Sequence, residues 1–150
     1  MQVRDYKKSE VGEIREIIRK SLNSIVLDYY SPKVIYALYN FYDEAMINSC
    51  EDVMVSVDKE KINGCMAFSE NEIKIFYIDP EFERRPYIPL MFLRYAKRKL
   101  KEKGYSIMKA NILESAKYFW EKQKYVEFGN PYNDKIGDIL FTRIPIKVRL

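Results

Sequence analysis

The stretch Ile78 to Gly104, IDPEFERRPYIPLMFLRYAKRKLKEKG, decides how this chain is organised. An apolar strand ends in Asp79-Pro80-Glu81, a short basic loop holding Arg84 and Arg85 follows, and a long helix closes at Gly104, a helix-stopping residue. The pattern predicts the helix over Leu90–Lys103. Leu93, Ala96 and Leu100 form its apolar side, and Arg94, Lys97, Arg98, Lys99, Lys101 and Lys103 give it a basic surface.

Outward from that stretch the hydrophobic period alternates between helix and strand. Upstream, a short strand at Gln2–Asp5 precedes a first helix marked by Val11, Ile14, Ile17, Ile18, Leu22 and Ile25 at helical spacing. Ser31-Pro32 places a capping serine before a first-turn proline, and Val34, Ile35, Leu38, Phe41 and Tyr42 give the second helix one apolar face, with polar Asp43-Glu44 beyond. From Asp52 the period becomes two. Val53–Val57, then Ile62, Gly64, Met66 and Phe68 on one face of the next strand, then Ile73–Ile78, read as an antiparallel meander.

Downstream, Tyr105–Ile112 reads as a strand, Ser115–Lys124 as a helix, and Tyr125–Phe128 with Ile139–Val148 as a closing strand pair joined by the turn-rich Gly129–Gly137. The order is β-α-α-β-β-β-α-β-α-β-β: an α/β fold with a mixed, mostly antiparallel sheet of about seven strands and about four helices on its faces, one domain over residues 1–150.

Composition narrows the function. With 47% apolar residues the chain suits one core of ordinary size. No apolar run reaches the length of about 18 residues that spans a bilayer, and charges stand where a signal peptide would carry its apolar core, so the sequence reads as a cytoplasmic protein without a membrane partner. Histidine is absent, which removes Ser-His and Cys-His nucleophiles and the commonest general base, and Cys50 and Cys65 lack metal-ligand spacing. A net charge of +4 permits an anionic ligand without requiring nucleic acid.

The local words resemble those of the GNAT superfamily of acyl-CoA N-acyltransferases. Ile62-Asn63-Gly64 is similar to the family's Ile-Val-Gly, Phe76 to Phe82 to its Leu-x-Val-x-Pro-Glu-Tyr, and Ala116 to Lys122 to its Ala-x-x-Phe-Tyr-Glu-Lys. The resemblance implies acetyl-CoA as co-substrate, a small-molecule or peptide amine as acceptor, and the transfer of acetyl between them. It also implies that the loop after Pro80 cradles the coenzyme pyrophosphate with helix N-terminal N–H groups.

Two departures stand out against the family pattern Gln/Arg-x-x-Gly-x-Gly/Ala. The loop reads Arg84-x-x-Tyr87-x-Pro89 in one register and Glu83-x-x-Pro86-x-Ile88 in the other, so neither glycine is present and two prolines remove N–H donors. Arg84 and Arg85 then offer guanidinium groups in place of backbone. The tyrosine that serves the family as general acid is Trp120 here, whose indole N–H donates a hydrogen bond without transferring a proton near neutral pH. The residues that the resemblance places at the coenzyme are Ile78, Arg84, Arg85, Tyr87, Ile88, Pro89 and Trp120. An N–H of Ile78 or its neighbours is the expected oxyanion donor, Asp79, Glu72 and Glu114 are carboxylates in range of the base role, and a wedge blocked by Tyr87 or Trp120 would exclude the coenzyme.

Two other readings stand beside this one. The missing glycines and tyrosine suit a GNAT-fold binding or interaction module without catalysis. The basic helix surface suits a nucleic-acid binder weakly, because the same residues make an ordinary amphipathic helix. The Tyr29-Tyr30, Tyr36, Tyr39 and Tyr42 group suits an acceptor pocket as well as a core, and an exposed Ile139–Val148 edge would allow a homodimer.

Overall fold

The strand Gln2–Asp5 (β1) pairs antiparallel with Asp52–Asp58 (β2), which pairs with Lys61–Ser69 (β3), which pairs with Glu72–Ile78 (β4). The computed structural model describes residues 1–24, 30–83 and 85–150. Ile107–Leu113 (β5) runs parallel to β4, and Ile139–Arg149 (β8) runs antiparallel to β5 along its whole length. Val126–Glu127 (β6) and Tyr132–Ile136 (β7) both pair with β8, giving the sheet order β1-β2-β3-β4-β5-β8-β6 with β7 beside β8.

Helices Val11–Ser24 (α1), Pro32–Phe41 (α2) and Glu44–Ser49 (α3) cover one face of the sheet, and Tyr87–Glu102 (α4) and Lys117–Lys122 (α5) the other. The predicted inner face of α1 is buried at Val11, Ile14, Ile17, Ile18 and Leu22, whereas Ile25 lies outside the described residues. Ser31 caps α2 by accepting from the Val34 N–H. Ile35, Leu38 and Tyr42 are buried as expected, but Phe41 is exposed, being the last residue of α2. Asp43 begins a further helix, α3, by accepting from the Met46 N–H at 2.9 Å; the sequence shows there only a polar pair.

In β3 the predicted single face is divided. Ser56 stands opposite Gly64 and Val57 opposite Ile62, so Asn63 is an extra, bulged residue. Because one added residue switches every later side chain to the opposite face, Ile62 packs toward α1 with Cys65 and Ala67, while Met66 and Phe68 pack toward α4. The Asn63 side chain is buried and accepts from the Ser56 hydroxyl.

Helix α4 begins three residues before the sequence suggests. Pro89 falls in its first turn, where a missing N–H breaks no helical bond. Phe92, Leu93, Ala96 and Leu100 are buried beneath it, and Lys99 and Lys103 of its basic surface pair with Asp5 and Asp52 of the sheet, which supports the amphipathic-helix reading over nucleic-acid binding. The stretch Ser115–Lys124 forms only one short α-helix, after a 3-10 turn at Glu114–Ala116.

The loop Gly129–Gly137 is corrected most: it contains β7. Tyr132–Ile136 is largely polar and solvent-facing, so it carries no apolar alternation, and it forms a hairpin with β8 through the turn at Gly137, whose φ is +59°. With β6 it covers the outer side of β8, so the Ile139–Val148 edge is not free for pairing with a second copy. No helix among the described residues is long and apolar enough to cross a membrane.

Gly64 lets α4 approach the sheet, since a Cβ there would meet the Phe92 ring and the Ser56 hydroxyl at 2.8 Å each. Gly64→Ala is expected to destabilise the fold by about 1–3 kcal/mol in urea unfolding. Gly12→Ala, on α1 with nothing within 4 Å, is expected to stabilise it by about 0.5–1 kcal/mol.

Candidate functional site

Strands β4 and β5 are paired only at Glu72↔Lys109 and Ile73↔Ala110 and then separate. A cavity of about 430 Å³ fills the wedge between them. Its β4 wall is Ile73–Ile78 and its β5 wall Ala110–Leu113. Side chains alternate across β4, so the cavity has two unlike sides. Phe76 faces the α4–α5 side, where Phe119, Trp120 and Pro89 complete an aromatic surface. Tyr77 faces the α1–α2 side with Tyr42 and Arg143.

The backbone of β4 supplies donors to the wedge. The Asp79 N–H bonds to the Asn63 carbonyl on β3 at 2.9 Å, and bonded residues alternate along an antiparallel ladder. Tyr77 and Ile75 therefore bond toward β3, and the N–H and C=O groups of Phe76 and Ile78 point into the wedge, beyond the last pair with β5. Such groups need water or a ligand to satisfy them.

Trp120 is buried in the wall, edge-on to Tyr125 at 4.4 Å and to Phe119 at 5.1 Å, and tilted against Phe76 at 5.7 Å. These contacts hold it at the side of the cavity. Tyr87 is largely exposed at the start of α4 and is not part of the lining. Neither residue blocks the wedge.

The loop before α4 is built differently from a phosphate cradle. The N–H groups of Glu83, Arg85 and Ile88 already donate to the carbonyls of Pro80, Phe82 and Arg85, and Pro86 and Pro89 have none. The Ile88 side chain is fully buried under α4. Arg85 folds back on the turn: its guanidinium lies 4.7 Å from the Phe82 ring centroid, 3.7 Å from the Asp58 carboxylate and 3.5 Å from the Tyr87 hydroxyl. Arg84 lies outside the described residues. Of the residues that the sequence places at a coenzyme, Ile78, Pro89 and Trp120 line the cavity, while Arg85, Tyr87 and Ile88 do not.

The three carboxylates in range of a base role have other engagements. Asp79 is buried, accepts from the Glu81 N–H at 3.1 Å and pairs with Lys20 at 3.4 Å, so it caps the turn that follows β4. Glu72 accepts from the Asn111 side chain at 2.7 Å and pairs with Lys74 at 3.1 Å. Glu114 is exposed and outside the lining. Glu83 is the carboxylate that lines the cavity among the described residues. It stands exposed at the cavity rim, and partial desolvation raises its pKa above the ordinary 4.5. In the sequence it is visible only as the first residue of one loop register.

The α1–α2 side holds the other unanticipated group. Arg143 on β8 is nearly buried, donates Nε to the Asp134 carboxylate at 2.8 Å and Nη1 to the Asn111 carbonyl at 3.0 Å, and lines the cavity. Its neighbour Tyr42, together with these contacts, holds it firmly charged. Burial pushes the Tyr77 hydroxyl well above its ordinary value, which keeps it protonated. Of the tyrosines considered for an acceptor pocket only Tyr42 lines the cavity; Tyr36 is exposed, Tyr39 stacks on Arg15, Tyr30 packs on the α1 core and Tyr29 lies outside the described residues. Burial pushes the Cys65 thiol up to about 12, which silences it as a nucleophile.

No family model matches the sequence, and no curated protein matches it. The fold, however, is that of the GNAT superfamily of acyl-CoA N-acyltransferases. A GCN5-related N-acetyltransferase from Rhodopseudomonas palustris superposes with a TM-score of 0.91 at 16% identity, over 99% of this chain and 95% of that one. PaiA N-acetyltransferase from Thermoplasma acidophilum, in complex with coenzyme A, gives 0.78 at 14% identity over 99% and 98%. An aminoglycoside 6'-N-acetyltransferase complexed with coenzyme A gives 0.70 at 12% identity over 99% and 97%.

Asp79 fixes the turn that leads β4 away from the sheet. Asp79→Ala removes both a cap and the partner of Lys20, and is expected to cost about 1–2 kcal/mol in urea unfolding, with Asp79→Asn, which can still cap, losing less.

Proposed function

We propose that this chain is an N-acetyltransferase that moves an acetyl group from acetyl-CoA to an amine acceptor by direct transfer. The open wedge carries this reading. It offers the free N–H and C=O groups of Phe76 and Ile78 to a ligand that itself bears amides, as the pantetheine arm of coenzyme A does, so the arm can add to β4 like a short strand. The shared GNAT fold supports the same reading.

The chemistry asks little of side chains. An N–H of Ile78 or Phe76 donates to the thioester oxygen and stabilises the charge that grows on it in the tetrahedral state. The cavity holds amine and thioester together, which supplies a large share of the rate. Glu83 at the rim takes the ammonium proton, directly or through a water. The amine nitrogen then bonds to the acyl carbon and gives up its second proton to solvent, the carbon–sulfur bond breaks, and the thiolate leaves beside Trp120, taking its own proton from solvent.

The pyrophosphate end fits less well. The N–H groups of Glu83, Arg85 and Ile88 are spent within the turn and Pro86 and Pro89 have none, so Arg84 and Arg85 are the groups to hold the phosphates, Arg85 by turning from Asp58. The same feature, with Trp120 in the place of an acid, favours a second reading: a GNAT-fold ligand-binding module that does not turn over.

Calorimetric titration with acetyl-CoA and coenzyme A separates them. Micromolar binding, weakened about tenfold or more by removing Arg84 and Arg85 together, followed by turnover with an amine, is the expected result. Binding without turnover on any amine would favour the module, and no binding at millimolar coenzyme would contradict both. Glu83→Gln is expected to lower the rate by about 10²-fold while leaving coenzyme binding intact. Because Glu83 must be ionised and its pKa is raised, the acid limb of the rate profile should rise with pH at values above 4.5, and Glu83→Gln should abolish that limb.

A further inference from the structure

We infer that the acceptor carries a carboxylate as well as an amine, and that Arg143 binds the carboxylate. For the amine end this rests on the acyl-transfer reading; the anion site stands on the cavity alone.

Arg143 is an unusual residue for its place. The strand ILFTRIPIKV is otherwise mostly apolar, and the side chain of Arg143 is only 12% exposed. Taking a guanidinium out of water is costly unless its charge is matched and its N–H groups are bonded. Its carboxylate partner, Asp134, sits on the β7–β8 hairpin with 39% of its side chain in solvent, so water screens that half of the pair more than it screens Arg143. Of five guanidinium N–H groups, the Asp134 carboxylate, the Asn111 carbonyl and the Tyr42 hydroxyl take one each among the described bonds. The remaining capacity lies at a cavity wall, beside Tyr42 and Tyr77.

Those neighbours are suited to an anion. Burial keeps Tyr77 protonated at neutral pH, and its hydroxyl is hydrogen-bonded to Tyr42, whose ring centroid lies 5.6 Å away, so an anion would recruit this phenol pair by displacing that bond. A planar fork with phenolic donors next to it matches the two oxygens of a carboxylate. Glu83, the one acidic side chain in the lining, follows β4, while Arg143 stands opposite Leu113 at the end of β5. Lys74, the other basic residue in the lining, is paired with Glu72 at 3.1 Å, so the cavity presents Glu83 for an ammonium after β4 and Arg143 for a carboxylate on its β5 side. The donor's aromatic surface, with Trp120 and Phe76, is on the other side of the sheet, leaving the α1–α2 side for such a zwitterion, an amino acid or a peptide with both groups close together.

The test compares acetylation of matched amines by the intact protein: L-tyrosine with tyramine, L-phenylalanine with phenethylamine, and phosphoethanolamine with β-alanine. The expected result is a kcat/KM at least about tenfold higher for each carboxylated member, and a ratio that falls to near one in Arg143→Gln. Asp134→Asn, which releases a guanidinium N–H without touching the cavity, should keep or raise the preference. A merely structural Arg143 would lower every rate together and leave the ratios alone, which would overturn the inference. So would equal rates on both members of each pair in the wild-type protein. Preference for phosphoethanolamine over β-alanine would overturn the carboxylate in favour of a phosphate. Should Arg143→Gln not fold by circular dichroism, Arg143→Lys, which keeps the charge but loses the fork, must reduce the ratios about tenfold. Should no amine be acetylated, the acyl-transfer reading fails by itself, and calorimetry with N-acetyl-L-tyrosine and N-acetyltyramine decides the anion site: heat from the first alone, lost in the Arg143 variant, supports it, and no difference overturns it.

Discussion

The separation of β4 from β5 is the constraint on which the rest of the structure depends. These are parallel neighbours joined through α4, and their ladder stops after two residue pairs. Beyond that point β4 is an edge inside a sheet, an arrangement that stays open only where something holds the strands apart. On one face Phe76, Phe119 and Trp120 pack against one another and wall one side of the opening between the strands. On the other, Arg143 ties β8, β7 and β5 together and keeps the β5 side rigid. At its far end β4 is anchored by Asp79, whose backbone bonds to Asn63 and whose side chain caps the next turn.

This division explains why the basic loop can depart so far from a glycine cradle. The free backbone of β4 lies at the middle of the wedge, where a thioester arm would bind and react, and does not depend on the loop. In the turn after β4 the N–H groups of Phe82, Glu83, Arg85 and Ile88 bond instead to the carbonyls of Asp79, Pro80, Phe82 and Arg85, tying β4 to α4. That connection positions Glu83 and Pro89 at the rim. If the wedge takes the donor, its affinity is weighted toward the arm and away from the phosphates.

Most of the fold was legible in the sequence because its elements carry clean periods. The apolar stripe of α1, the Ser31-Pro32 cap and the β2–β4 meander follow from side-chain spacing and local hydrogen bonding alone. What escaped has physical causes. The bulge at Asn63 moves Ile62 to the other face without disturbing the composition of the strand. The β7 strand is polar on both sides, so it is held by its ladder to β8 and not by burial. Of the site, Ile78, Pro89 and Trp120 were legible through the family words, while Glu83 and Arg143 act through tertiary position, which no local spacing encodes. A charge between Phe141 and Ile144, in the mostly apolar first half of β8, is the signal by which Arg143 could have been found.

Hydrogen–deuterium exchange with and without saturating acetyl-CoA tests the central claim most directly. If the wedge is the donor site, amides of Phe76 and Ile78 slow by about tenfold or more on binding, whereas those of Ile75 and Tyr77, already bonded to β3, change little. Equal exchange at Phe76 and Ile78 in both states, with protection confined to the α4 surface or found nowhere, would contradict it.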